Sequence, residues 1–184
     1  GIEEVTMQDI NELKAVELLK KYARDRNSLN KVLAHSRKVQ EIALRHAVEI
    51  PGADVDFIRS AALLHDIGRL VCNVSLRHGI EGAEIVRSEG IDERYALVCV
   101  RRVGSGINRE DIREQRMDLP DKDYMPVSIE EKIITDADNL TFGGREGTMV
   151  EVLNRFQKEL GKKGVERARR LHEEIVEMMD TPAR

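Results

Sequence analysis

Tryptophan is absent from this 184-residue chain, and aromatic residues together make up only 3% of it. That excludes a stacking platform for single-stranded nucleic acid, which needs exposed aromatic rings. Cysteine is scarce as well. Cys72 and Cys99 are too few for a disulfide framework and too far apart for a CxxC zinc pattern. Their apolar neighbours, Leu70-Val71 and Val98 with Val100, read as surroundings of reduced, buried thiols. No apolar run approaches the roughly 18 residues that a membrane span requires, and Gly1-Ile2-Glu3-Glu4-Val5 lacks the basic-then-apolar order of a signal peptide. The expectation is a cytoplasmic protein with no membrane partner. Excess positive charge is missing too: 30 Lys and Arg stand against 34 Asp and Glu, a net charge of -4. Proteins that grip phosphate backbones are normally basic, so general nucleic-acid binding is not expected.

Core-forming and charged residues are plentiful, at 41% and 35%. That suffices for a substantial core in one domain, or one core with a helical appendage. Apolar residues recur at three-to-four spacing and two-residue alternation is nearly absent, which predicts an all-α bundle. Ile10, Leu13 and Val16 mark a first helix ahead of Lys20-Lys21. Ser28, or Asn27, caps a long second one running to about Ile50, where Pro51-Gly52 stops it. Asp54 caps a third, from Val55 to about Asp66, ended by Gly68. Shorter helices are expected over 80–88, 92–103 and 109–114. Residues 117–126 carry two prolines and three aspartates and read as a surface loop. Ser128 and Glu131 form a capping box for a helix through Leu140. Gly143-Gly144 breaks that helix, and two more fill 148–160 and 165–179. In the last, Lys162, Lys163, Arg167, Arg169 and Arg170 interleave with Glu166, Glu173, Glu174 and Glu177. This reads as a solvated face, or one on which a second copy could pack to give a homodimer, rather than a nucleic-acid stripe.

The informative segment is Ala61-Ala62-Leu63-Leu64-His65-Asp66-Ile67-Gly68. Four apolar residues lead into adjacent ionisable ones, which are costly beside a packed helix unless something satisfies them. A divalent metal does so, since imidazole nitrogen and carboxylate oxygen both suit such ions. A hydrogen-bonded core histidine beside a solvated aspartate does so equally. In the long helix, Val32, His35, Val39, Ile42 and His46 share one stripe. Eleven residues at about 1.5 Å rise put the two histidines roughly 16 Å apart, so at most one serves a given ion. Asp138 leans toward the apolar side of its helix, four residues after Ile134, whereas Asp136 points elsewhere and reads as a surface charge.

In that order, His35, His65-Asp66 and Asp138 resemble the H…HD…D signature of the HD-domain superfamily of metal-dependent phosphohydrolases. His65-Asp66-Ile67-Gly68-Arg69 is similar to its HDIG subgroup. The likeness to small archaeal HDIG-type proteins extends through His78-Gly-Ile-Glu-Gly-Ala-Glu-Ile-Val-Arg87, Val103-Gly-Ser-Gly-Ile107, Asp123-Tyr-Met-Pro126 and Glu131-Lys-Ile to Asp138-Asn139. The resemblance implies an HD-type helical core over 28–142, with an N-terminal helix (1–27) packed on it. The C-terminal helices (143–184) then belong to the same domain or form an interaction surface. It further implies that His35, His65, Asp66 and Asp138 bind one divalent ion (Mn, Fe, Co, Ni, Zn or Mg), with Asp66 also the catalytic residue that orients the water. The implied substrate is a nucleotide or other small phosphate ester.

Arg69 is then either a phosphate clamp or a plain helix-end cation. Binuclear members add histidines for a second ion. His78 matches one, as a second-metal or substrate residue, but Arg102 stands where the other belongs, and arginine has no lone pair for a metal. Arg102 therefore points to substrate binding in a mononuclear site. It also raises a competing expectation: a catalytically weak scaffold that binds a nucleotide or metal as a regulatory or interaction module.

Overall fold

The computed structural model describes residues 8–102 and 106–181. Nine α-helices occur among them: α1 (Glu12–Tyr22), α2 (Arg26–Ala47), α3 (Val55–Leu64), α4 (His78–Ser88), α5 (Glu93–Val100), α6 (Arg109–Glu114), α7 (Ile129–Asn139), α8 (Met149–Glu159) and α9 (Gly161–Asp180). Strands are limited to the pair β1 (Thr141–Phe142) and β2 (Arg145–Glu146). The fold is all-α, as periodicity alone predicts. None of the described helices is long and apolar enough to cross a membrane.

The helix starts follow side-chain capping, which satisfies backbone N–H groups that the first turn leaves without partners. Asp54, Asp92, Asn108, Ser128 and Thr148 each accept from a backbone N–H inside their helix. One cap differs from expectation. Asp25, not Ser28 or Asn27, opens α2, and Ser28 donates its N–H to the Asp25 carboxylate at 2.7 Å. The Ser128 box is also modified: Glu131 accepts from the Val127 N–H and the Ser128 hydroxyl. Gly143-Gly144 does more than break a helix. It is the two-residue turn of the β1–β2 hairpin, and Gly143 takes the positive φ (64°) that such tight loops need. The expected loop over 117–126 is pinned by Tyr124, which is buried against Ile107 and Ile112. Val103, the expected end of the fifth helix, and Gly104 lie outside the described residues.

One apolar core runs from Ala15 of α1 to Ile175 of α9. Its centre is fully buried: Val39, Ile42 and Ala43 from α2, Ile58, Ala62 and Leu63 from α3, and Ile133, Ile134 and Ala137 from α7. Each large aliphatic contributes about 1.5–3 kcal/mol by leaving water. That packing fixes α2, α3 and α7 against one another, and each carries one of the candidate ligands.

The third helix is shorter than expected. It ends at Leu64, and residues Ile67–Leu70 form a 3₁₀ turn laid against α4. Gly68 is therefore no helix terminator. A Cβ at this position would lie 1.8 Å from the His78 carbonyl oxygen and 2.7 Å from the Gly82 nitrogen. Only hydrogen fits between the two backbones, and this close approach sets Asp66 and Arg69 beside His78. Gly68→Ala is expected to cost on the order of 3 kcal/mol by overpacking and to lower the thermal midpoint by roughly 10 °C. An unchanged midpoint would show that the turn is free to move away from α4.

Candidate metal centre

Three helices deliver one donor atom each to a single point. His35 comes from the middle of α2, His65 from the position just after α3, and Asp138 from the last turn of α7. The Nε2 of His35 lies 2.8 Å from Asp138 Oδ1 and 3.3 Å from His65 Nε2, and His65 Nε2 is 3.4 Å from the same carboxylate oxygen. His65 Nδ1 sits 2.6 Å from the Ala62 carbonyl oxygen. A carbonyl only accepts, so Nδ1 donates to it and the ring turns its Nε2 toward the cluster.

The triangle fits a divalent ion. Bonds of about 2.1 Å at angles between octahedral and tetrahedral separate neighbouring donors by about 3.0–3.4 Å. Two nitrogens and a carboxylate suit zinc and several first-row divalent ions. His65 is fully buried, while the His35 and Asp138 side chains keep 13% and 16% exposure, so the point opens on one side. Burial alone pulls the His35 pKa down, but the hydrogen bond and charge of Asp138 outweigh it and leave the value raised. Burial pushes Asp138 up, yet its bonds to both histidines hold it well below the usual carboxylate range.

Asp66 falls outside this triangle. Its carboxylate is completely buried, and Oδ1 accepts from Arg102 Nη2 at 2.6 Å. The Oδ2 atom has no hydrogen-bond donor; Arg69 Nε is 3.1 Å away as an ion pair without hydrogen-bond geometry. Arg102 is itself buried. It donates Nε–H to the His65 carbonyl at 3.0 Å and holds Nη1 3.6 Å from Asp138 Oδ2. One guanidinium thus spans both carboxylates of the H…HD…D set. Burial drives the Asp66 pKa up, but the charges of Arg102, His65 and Arg69 bring it net downward. Asp66 is ionised and held by cations.

His78, at the start of α4, is 7% exposed and its buried Nε2 has no partner. Burial lowers its pKa, so the ring is neutral near pH 7. Together with His35, Arg69, Arg102 and Asp138, it lines a cavity of about 690 Å³. That volume lies in the range of small-molecule sites. The far wall consists of Asn139, Thr141, Phe142, Gly143 and Gly144 with Arg155, Phe156 and Glu159 of α8, and Lys31 closes the rim. Sequence reasoning misses this wall, because no spacing rule links α8 to a histidine on α2.

Two expectations need correction. Asp136 is fully buried rather than a surface charge, and His172 Nδ1 of α9 lies 3.1 Å from its Oδ2. The reason is that α7 is covered on both sides, by α2 and by α9. Cys72 is half-buried, not buried; Cys99 is buried, and its thiol is pushed up to about 12 by desolvation. His46 does not join the metal cluster, as the helical rise requires.

Metal titration checks the ligand triangle. Asp138→Ala and His65→Ala are each expected to abolish binding of Mn²⁺ or Zn²⁺ by calorimetry, while His46→Ala retains it. Protons compete with the ion for histidine nitrogen. Because Asp138 raises the His35 pKa, affinity should begin to weaken above the ordinary value of about 6.5 and keep falling as pH drops through it. Affinity that stays flat between about pH 7.5 and 5.5 removes His35 from the ligand set.

Comparison with known proteins places the chain. Residues 32–143 match the family model described as HD domain. An uncharacterized protein of Methanocaldococcus jannaschii is 42% identical over 151 residues, covering 81% of this chain and 86% of that protein. The tRNA (cytidine(56)-2'-O)-methyltransferase of Picrophilus torridus is 36% identical over 149 residues, but these span only 42% of the enzyme. Among solved structures, the HD domain of the L. monocytogenes phosphodiesterase PgpH in complex with cyclic-di-AMP superposes with a TM-score of 0.52 at 16% identity. That match covers 93% of this chain and 99% of that domain. The chain belongs to the HD-domain family.

Proposed function

We propose that the protein is a metal-dependent phosphohydrolase acting on a nucleotide or another small phosphate ester. One observation carries the reading: His35, His65 and Asp138 converge on a single point that opens into a positively charged cavity. Lys31, Arg69, Arg102 and Arg155 line that cavity against Asp138 and Glu159, although the whole chain is acidic. Such a concave cationic surface draws in anionic ligands. The cyclic-di-AMP held by the structurally similar PgpH domain agrees with a nucleotide.

A divalent ion bound here supplies a water of lowered pKa and polarises the phosphoryl group. The chain's own residues do the rest. His35, His65 and Asp138 hold the ion, with Asp66 as a fourth ligand if its carboxylate turns from Arg102. The Oδ2 of Asp66, which accepts no hydrogen bond but lies 3.1 Å from Arg69 Nε, would orient the attacking water. Arg69, half-exposed at the mouth, clamps a non-bridging phosphate oxygen. Arg102 adds a fixed positive charge between Asp66 and Asp138, where it attracts a phosphate oxygen and takes the place of a second ion. The neutral His78 ring offers its unpartnered Nε2 to substrate, or to a second ion once Arg102 is gone.

The same pairing favours a second reading. A guanidinium that ties up Asp66 weakens the site as a catalyst, leaving a scaffold that binds nucleotide or metal without turnover. The likeness of this chain to less than half of an RNA-modifying enzyme fits such an accessory role.

Hydrolysis of bis(p-nitrophenyl) phosphate and p-nitrophenyl phosphate with Mn²⁺, Co²⁺ or Ni²⁺ separates the two. Turnover that a chelator removes and Asp66→Ala abolishes supports the hydrolase; intact metal binding without turnover supports the scaffold. Arg102→His is expected to raise the metal content from about one toward two ions per chain, through His78 and Asp66. Arg102→Ala should weaken phosphate binding without adding metal. Unchanged stoichiometry and activity in Arg102→His would place Arg102 outside the site.

A further inference from the structure

Arg155 is a cation that the metal site does not use. Its guanidinium lies 4.3 Å from the ring centre of Phe142 and 5.1 Å from that of Phe156. Its Nη2 donates to the Asn139 carbonyl at 2.7 Å. Among the described residues no carboxylate pairs with it, although Glu159 stands one helical turn further along the same cavity wall. The contrast within the hairpin is informative: Arg145, also packed on Phe142, is neutralised by Glu151 at 2.6 Å. Two rings and a carbonyl thus fix the half-buried Arg155 in place while its charge remains free. Fixed donors lose less entropy when they bind an anion than mobile ones do.

Arg155 reaches the cavity from a different element than Arg69 and Arg102. Arg69 and Arg102 are tied to Asp66, on the wall made by the 3₁₀ turn. Arg155 is anchored at the end of α7, on the carbonyl of Asn139, and on the rings of Phe142 and Phe156. It belongs to α8, outside the stretch 32–143 that matches the HD model. Lys31 lines the same cavity as a second cation that has no ion-pair partner among the described residues.

We propose that Arg155, assisted by Lys31, forms a second phosphate subsite, so that the substrate carries a phosphate besides the one at the metal. The class this selects is a dinucleotide or the end of an oligonucleotide, rather than a mononucleotide. The inference rests on the hydrolase reading for the identity of the first phosphate.

The test compares one phosphate with two on the full chain. Equilibrium binding of AMP and of the linear dinucleotide pApA is measured in EDTA, so that only the chain's own groups contribute. The wild type is expected to bind pApA at least tenfold more tightly than AMP. Arg155→Met keeps an apolar stem against the rings and should lose about tenfold for pApA, the equivalent of one charge-assisted contact, with much less change for AMP. Arg155→Lys should recover part of the loss. No preference for pApA in the wild type, a preference that survives in Arg155→Met, or equal losses for both ligands would each overturn the subsite. Failure of the parent reading shows separately, as absent Mn²⁺-supported hydrolysis of bis(p-nitrophenyl) phosphate by the wild type.

Discussion

A carboxylate inside an apolar bundle is stable only if something neutralises it, and Asp138 shows how far the surrounding structure depends on that requirement. Its Oδ1 faces two imidazoles, and its Oδ2 lies within ion-pair distance of Arg102. Those partners come from α2, the end of α3 and the end of α5. Asp138 thereby ties the middle of the bundle together electrostatically as well as by packing. Bare desolvation of a carboxylate costs several kcal/mol, so the three helices are held in the one arrangement that satisfies it. The arrangement that satisfies Asp138 also brings three candidate metal donors together, and stability and candidate site therefore share one geometry.

Arg102 introduces competition into that geometry. A divalent ion and a guanidinium both seek Asp66 and Asp138, and they differ in what they accept: the ion also takes histidine nitrogen, whereas Arg102 takes only oxygen. The division seen here follows from that difference. The donors around His35 and His65 are not engaged by Arg102, and Asp66 is. Pairing also explains why Asp66 tolerates complete burial. Removing one member of such a buried pair leaves the other uncompensated, at about 3–5 kcal/mol. Arg102 is consequently structural and electrostatic at once, and its replacement by histidine changes the charge of the site along with its metal capacity.

Local signals in the sequence specify most of the helices, because amphipathic spacing and capping residues act over a few positions. The failures are non-local. Asp136 and Asp138 lie on opposite sides of α7, and assigning a surface role to one assumes that a helix has a wet face; α9 covers that face. Gly68 looks like a helix stop until α4 is laid against it. Asp25-Arg26-Asn27-Ser28 offers three competing caps, and only the backbone turn selects the first. His35, His65 and Asp138 are legible as a set through the resemblance to the H…HD…D signature, since spacing alone leaves His35 and His46 as alternatives. Their mutual distances, and the attachment of Asp66 to Arg102, depend on three-dimensional packing that no spacing encodes.

The wall opposite the metal centre carries the same lesson into function. It is assembled from a hairpin of two two-residue strands and one face of α8, features too short or too remote for periodicity to flag. Phe142, half-buried, and Phe156, buried, are two of only three phenylalanines in the chain, and both are spent holding Arg155 at the cavity. Phe156 belongs to the buried core and Phe142 packs against it, so the platform under Arg155 is continuous with the core. The residues matched by the HD model include the candidate donor triangle and part of the hairpin, and α8, which follows them, completes the wall. The candidate donors and the opposite wall thus sit on different elements, and a substitution on the cavity face of α8 leaves the buried charges around Asp138 in place.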